Sequence, residues 1–259
     1  MSFWQALVLG LIQGLAEFLP VSSSGHLVLV REIMGISGDY LLFDMLLHVG
    51  TVMAVIIVFF KDLLALFKPP FKTIGFILLA SIPAVIVGLL FNSQIESFFA
   101  GAKYICFFFL FTAVLMFVTE IIGKRTKEPK PFTIKTALFM GVMQGIAVFP
   151  GISRSGSTIF GGTVAGTNRE EVAKFSFFMS IPVILGGALL QVIDLIKDPA
   201  AGAAMPWYCI VGGMAASFLS GLFAIKLMMR VIKKADYKWF SLYLLVVSVL
   251  SFVFFFLGV

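Results

Sequence analysis

The chain has 259 residues, 60% of them hydrophobic and only 12% charged, with a formal net charge of +6. Its mean hydropathy of +1.08 excludes an ordinary soluble domain. The positive balance does not point to nucleic acid, because the basic residues gather between apolar runs, as membrane loops do.

In chain order, the opening segment MSFWQALVLGLIQGLAEFLP lacks a basic start and a small-residue cleavage site, so it reads as mature structure and not as a signal peptide. The pattern predicts an apolar helix over 5–19, a polar stretch after Pro20, and a second short helix over 24–34. Three spans are expected at 41–60, 73–91 and 104–122. Short helices follow over 136–149 and 155–165, then spans at 172–195, 207–229 and 238–258. A crossing helix needs about 20 residues. The four short helices fall below that, so each pair reads as a re-entrant helix–loop–helix. The alternating dyads of a β-barrel are absent. Cys106 and Cys209 stand in apolar stretches without metal-type or redox-type spacing and read as packing thiols.

The two polar stretches are copies of one another. QALVLGLIQGLAEFLPVSSSGHL (5–27) aligns with TALFMGVMQGIAVFPGISRSGST (136–158), matching at Gly10/Gly141, Gln13/Gln144, Gly14/Gly145, Phe18/Phe149, Ser22/Ser153, Ser24/Ser155 and Gly25/Gly156. The offset is close to half the chain. The expected architecture is therefore an all-α polytopic membrane protein, one integral domain over 1–259, built from repeats 1–125 and 132–259. Three spans per repeat is an odd number, so the second repeat is expected upside down relative to the first. The loops 61–72, 123–135 and 230–238 then share one side and carry most of the Lys and Arg, including Lys124, Arg125, Lys127, Lys130, Lys135, Arg230, Lys233, Lys234 and Lys238. The positive-inside bias puts them in the cytoplasm and both termini outside. The two hairpins enter from opposite faces and meet near the midplane, where irregular backbone is tolerated only inside protein or along a wet cavity.

Ionisable side chains at that depth cost about 2.5–3.5 kcal/mol each on insertion scales. Gln13, Glu17, His26 and Arg154 therefore stand out, with Ser22, Ser23, Ser24, Ser153, Ser155, Ser157 and Thr158 around them. Gln13 and Glu17 are four residues apart, so one helix face carries both oxygens. Such a pair suits a hard divalent cation, Mg2+ or Ca2+, with water and phosphate completing its shell. The plainer reading is a polar seam between the repeats. The second copy keeps Gln144 but has Val148 in place of Glu17, which argues against a symmetric seam. Arg154 occupies the slot of Ser23. Its planar fork fits phosphate oxygens, and Ser22, Ser153, Ser155, Gly156 and Thr158 can add donors at the start of a short helix. The plainer alternative is a buried ion pair with Glu17. His26 can serve as acid, base or nucleophile, and Ser23 as nucleophile or phosphate ligand. Asp44 and His48, in FDMLLHVGT, are read as structural or supporting, with Asp44 orienting His48 or the loop. Asn92, Gln94 and Glu96 read as an exposed loop.

QGLAEFLPVSSSGH and PGISRSGST resemble the two signature motifs of the BacA/UppP-type undecaprenyl-diphosphate phosphatases. FDMLLHVGT, SIPAVIVGLLF, the chain length and the duplication extend that resemblance over essentially the whole chain. Gln13 stands where some members have Glu. The resemblance implies removal of the terminal phosphate from a C55 polyprenyl diphosphate, regenerating the monophosphate carrier lipid for wall polymers such as peptidoglycan. It also implies a bacterial inner-membrane protein needing a divalent cation, associated with bacitracin resistance, with a site open to the outer face. Glu17, Ser23, His26 and Arg154 would be its catalytic residues, the partners being the lipid substrate and the bilayer, with a homodimer left open. An inverted-repeat secondary transporter or carrier-lipid flippase is the rival class. The membrane phosphatidic-acid-type phosphatases are discounted, because the only His residues, His26 and His48, both precede Arg154.

Overall fold

The computed structural model describes residues 1–38, 40–91, 94, 95, 97, 102–126, 128–197, 205–234 and 236–257, with Asp194, Lys233 and Lys234 described in backbone only. Asn92, Glu96 and Lys127 lie outside them. The described chain is helical. α1 (Phe3–Phe18) and α2 (Ser23–Ile33) form the first hairpin, followed by α3 (Leu41–Val58), α4 (Phe60–Leu66), α5 (Lys72–Leu90) and α6 (Ile105–Arg125). α7 (Ile134–Ile146) and α8 (Arg154–Val164) form the second hairpin, followed by α9 (Arg169–Lys197), α10 (Trp207–Lys234) and α11 (Lys238–Phe252). Among the described residues, six helices are long and apolar enough to cross a membrane, at the six expected places. α1 and α7 are apolar but shorter.

Local chemistry sets the hairpin ends. Ser2 caps α1 in a capping box with Gln5, and Pro20 follows the last turn. Ser22 caps α2 and Ser153 caps α8, each accepting from the amide three residues on, Gly25 at 3.3 Å and Gly156 at 3.1 Å. One element departs from the expected spans. Residues 60–66 form the separate helix α4, because Phe60, Leu63, Leu64 and Phe67 recur at helical spacing while the chain turns at Phe59.

Packing exchanges partners between the two halves. α1 lies along α10, α7 lies along α5, and α6 pairs with α11, the element in the corresponding place. The contacts use small residues, which let helices approach where lipid supplies no hydrophobic drive between them. Gly10 and Gly14 face Gly213, Ser217 and Ser220 of α10, while Gly141 and Gly145 face Ala80 and Pro83 of α5. Pro83 interrupts the α5 hydrogen-bond ladder, and Gln144 Nε2 donates to the nearby Ala80 carbonyl at 3.4 Å. The basic side is tied down separately. Tyr237 N–H donates to Glu120 at 2.8 Å, and burial pushes the Tyr237 hydroxyl up to about 12, so that ring stays neutral. Cys106 and Cys209 are buried free thiols, as expected.

A Cβ on Gly14 would fall well inside contact distance of Ser220 Oγ and the Ser217 carbonyl, whereas Gly75 faces open space. Gly14→Ala is therefore expected to destabilise the protein by about 1–3 kcal/mol. Gly75→Ala should be neutral or stabilising by up to about 1 kcal/mol. Thermal unfolding in detergent should lower Tm for the first and not for the second.

Candidate active site

The two polar loops meet. Ser24 Oγ accepts from Gly151 N–H at 3.4 Å, and Ser155 Oγ donates to the Leu19 carbonyl at 3.0 Å. Gly151 takes φ +92°, and a Cβ there would strike Phe108 and Ile105, so both conformation and space call for glycine. Ser22 is the only non-glycine at positive φ among the described residues, at +68°. Such a conformation costs about 1–3 kcal/mol. It is held because the Ser22 hydroxyl caps α2 while its carbonyl accepts from His26 N–H at 3.2 Å and from the His26 ring at 2.7 Å.

Glu17, at the end of α1, is the hub. Arg154 Nη2 donates to Oε1 in an ion pair that joins the halves. Oε2 accepts from Ser23 Oγ at 2.6 Å and from Gln13 Nε2 at 3.0 Å, and His48 Nε2 stands 3.5 Å away. The side chains of Glu17 and Arg154 are 6% and 15% exposed, so the pair is drawn out of solvent. The second arm of Arg154 donates to the Ser176 carbonyl of α9 at 3.1 Å. Thr158 Oγ1 contacts Ser176 Oγ at 2.6 Å, closing the network on that side. The expected meeting of Glu17, Gln13, Ser23 and Arg154 is therefore present in the fold.

The other candidates sit around this hub with partners of their own. Ser22 and Ser153 cap helices, and Gly156 N–H is the donor to Ser153. Ser153 Oγ also contacts Ser155 Oγ at 3.2 Å. His26 is engaged at both ring nitrogens, Nδ1 with the Ser22 carbonyl and Nε2 with the Tyr243 hydroxyl at 2.7 Å. Tyr243 also stacks on it, at 5.7 Å between centroids. A carbonyl only accepts, so Nδ1 carries a proton there. The Asp44 carboxylate pairs with Arg31 at 2.8 Å, and its backbone carbonyl, not its carboxylate, orients His48 at 2.7 Å.

Three contributors fall outside the sequence candidates. Thr112 of α6 accepts from Ser153 N–H at 3.1 Å, Ser176 anchors Arg154, and Tyr243 of α11 holds His26. Their signal is faint: single polar groups within apolar runs, where Ser and Thr usually bond their own helix.

Metal-binding capacity is limited to few protein ligands. No group of three or more His, Cys, Asp and Glu positioned for a metal occurs among the described residues. Gln13 is fully buried, and its Oε1 has no hydrogen-bond partner among the described residues. An orphaned acceptor on the same helix face as the Glu17 carboxylate fits a hard cation that keeps most of its shell for water and phosphate.

Fold and site together define a polytopic helical membrane protein whose two hairpins set the Glu17 carboxylate against the Arg154 guanidinium. The chain belongs to the family described as bacitracin resistance protein BacA, which matches residues 6–250. It is 40% identical to an undecaprenyl-diphosphatase of Carboxydothermus hydrogenoformans, over 96% of each chain. It is 37% identical to one of Halothermothrix orenii and 38% identical to one of Bacteroides fragilis, over 98% of each chain in both cases.

Truncating Glu17 strands the Arg154 charge in the interior. Glu17→Ala is expected to cost about 3–5 kcal/mol. Combined with Arg154→Met, it should cost less than the two single changes added together, because the double variant buries no lone charge. Denaturant unfolding of the four proteins checks this, and strict additivity would contradict it.

Proposed function

We propose that the protein hydrolyses undecaprenyl diphosphate to the monophosphate and inorganic phosphate, recycling the carrier lipid for cell-wall synthesis. The observation that carries this is the hub itself. Glu17 stands against Arg154 with the Ser23 hydroxyl 2.6 Å from the carboxylate. The starts of α2 and α8 meet beside it. Two helix N-termini and a guanidinium favour an anion between them.

On this reading Arg154 binds the terminal phosphate and neutralises its charge, which is most of what phosphoryl transfer requires. Glu17 takes the Ser23 proton, and Ser23 Oγ attacks the terminal phosphorus. The phosphorus–oxygen anhydride bond breaks, and the prenyl monophosphate leaves. Water then cleaves the phosphoserine, releasing inorganic phosphate and restoring the Ser23 hydroxyl. The short contact to a base favours Ser23 over a directly activated water. His26, bound at both ring nitrogens, positions the Ser22 turn. Glu17 and Gln13 Oε1 are the groups that would hold a divalent cation, which supplies further charge neutralisation on phosphate oxygens.

We also read the chain as two inverted repeats, 1–125 and 132–259, with the hairpins re-entrant. The exchanged packing of α1 on α10 and α7 on α5 supports this. His48 and Ser176 each lie seven residues into their spans, about 10 Å from the start at 1.5 Å per residue. If α3 and α9 begin at opposite faces, the site falls near the middle of a core of about 30 Å. The basic loops then lie in the cytoplasm and both termini outside, in the bacterial inner membrane, with the site open outward. The prenyl tail stays in lipid, where each methylene contributes about 0.8 kcal/mol. Tyr243, 45% exposed beside His26, marks the side of entry.

Purified protein in detergent should release phosphate from undecaprenyl diphosphate without a sealed membrane, whereas a transporter would release none. Arg154→Ala and Ser23→Ala should each lose about a hundredfold or more in turnover. Near-normal release by Arg154→Ala would remove this reading. A chelator should stop turnover reversibly, and indifference to it would end the metal assignment.

A further inference from the structure

His48 has geometry that its supporting position alone does not require. Its Nδ1 lies 2.7 Å from the Asp44 carbonyl, an acceptor only, which places a proton on Nδ1. In the neutral ring the Nε2 lone pair is then left facing Glu17 Oε2 at 3.5 Å. That is too long for a good N–H···O bond, and a lone pair against a carboxylate is repulsive. Two ligands each about 2.1 Å from one metal stand about 3.0–3.4 Å apart, close to the separation found here. A backbone carbonyl on one imidazole nitrogen, with the other nitrogen aimed inward, is how proteins orient a ligating histidine. Gln13, fully buried, turns its Nε2 to Glu17 Oε2 at 3.0 Å and leaves Oε1 without a hydrogen-bond partner among the described residues. A rotation of the amide would offer that oxygen to a cation on Glu17 and satisfy it.

We propose that His48 Nε2 is a third protein ligand of the divalent cation held by Glu17 and Gln13, so that this site takes an imidazole-accepting metal such as Mn2+. The proposal rests on the reading of Glu17 as a metal ligand. Imidazole suits Zn2+, Fe2+ and Ni2+, whereas an all-oxygen set suits Mg2+, Ca2+ and Mn2+. One imidazole among oxygen ligands therefore moves the site toward first-row transition metals, Mn2+ being the one that also keeps the oxygen ligands well. An imidazolium paired with Glu17 is the competing arrangement of the same atoms. The Asp44 carboxylate does not decide between them, because Arg31 engages it at 2.8 Å.

The test uses full-length protein in detergent, stripped with chelator and titrated with Mn2+ in the absence of substrate. Binding is read by electron paramagnetic resonance, and nitrogen coordination by spin-echo modulation. Wild type should bind Mn2+ with one directly coordinated imidazole nitrogen. His48→Phe should lose that coupling and weaken Mn2+ binding about tenfold or more. The chain has only two His residues, so His26→Gln should retain the coupling. Absence of nitrogen coupling in wild type, or its persistence in His48→Phe, overturns the proposal. Should His48→Phe fail to fold, the His26→Gln protein decides: coupling there supports His48, and none overturns it. Phosphate release by the same wild-type sample separates the two readings. Coupling without turnover would sink the hydrolase and leave the ligand; turnover without coupling would do the reverse.

Discussion

The ion pair between Glu17 and Arg154 is the constraint on which the remaining site geometry depends. Two opposite charges drawn out of water are tolerated only when their mutual attraction and further hydrogen bonds offset desolvation. Each oxygen of Glu17 and both terminal nitrogens of Arg154 have such bonds, from Ser23, Gln13 and Ser176 as well as from one another. Because the acid ends α1 and the guanidinium begins α8, satisfying the pair requires both hairpins at once. That requirement accounts for Ser24 against Gly151 and Ser155 against Leu19, contacts that hold polar backbone where no water is assured.

On the proposed reading of two repeats, duplication accounts for how one chain reaches this arrangement. Each hairpin carries a pair of glycines four residues apart, and each pair seats on the second long helix of the other half. The scaffold is therefore nearly symmetric, while the chemistry is not. The first copy has Glu17 where the second has Val148, and the second has Arg154 where the first has Ser23. On the reading of 1–125 and 132–259 as repeats, the equivalent positions carry one acid and one guanidinium between them, in a frame whose small-residue contacts recur in both copies.

Much of this was legible in the sequence, for physical reasons. Span positions follow from apolar length, and the four short helices from the Pro and Ser/Gly punctuation at Pro20 and Pro150. Glu17 and Arg154 were visible because charge in an apolar chain is costly to place. The supports were not visible. Ser176 reads as a small residue among phenylalanines, Thr112 as a helix hydroxyl, and Tyr243 as one more aromatic on a lipid-facing helix. Their roles arise only when α9, α6 and α11 close around the loops. The spacing of His48 from Asp44 suggests a supporting role with a carboxylate partner; the fold gives that carboxylate to Arg31 and sets His48 Nε2 3.5 Å from Glu17, a neighbour that only the closed hairpin brings near.

The same electrostatics bears on how a dianionic headgroup can enter a site that already has its charges matched. Removing Arg154 from Glu17 and leaving both bare would cost several kcal/mol. Exchange avoids that state. On the proposed reading, an arriving phosphate would offer Arg154 a pair of oxygens like those of Glu17, and Glu17, with Gln13 and His48, would hold the divalent cation that neutralises the carboxylate Arg154 releases. On that reading the resting ion pair keeps the place of the phosphate, and neither half of the charge set is stranded during binding. The pairing also supplies selectivity. On the proposed reading a neutral lipid headgroup would offer nothing to displace Glu17 from Arg154, so only an anion would open the site.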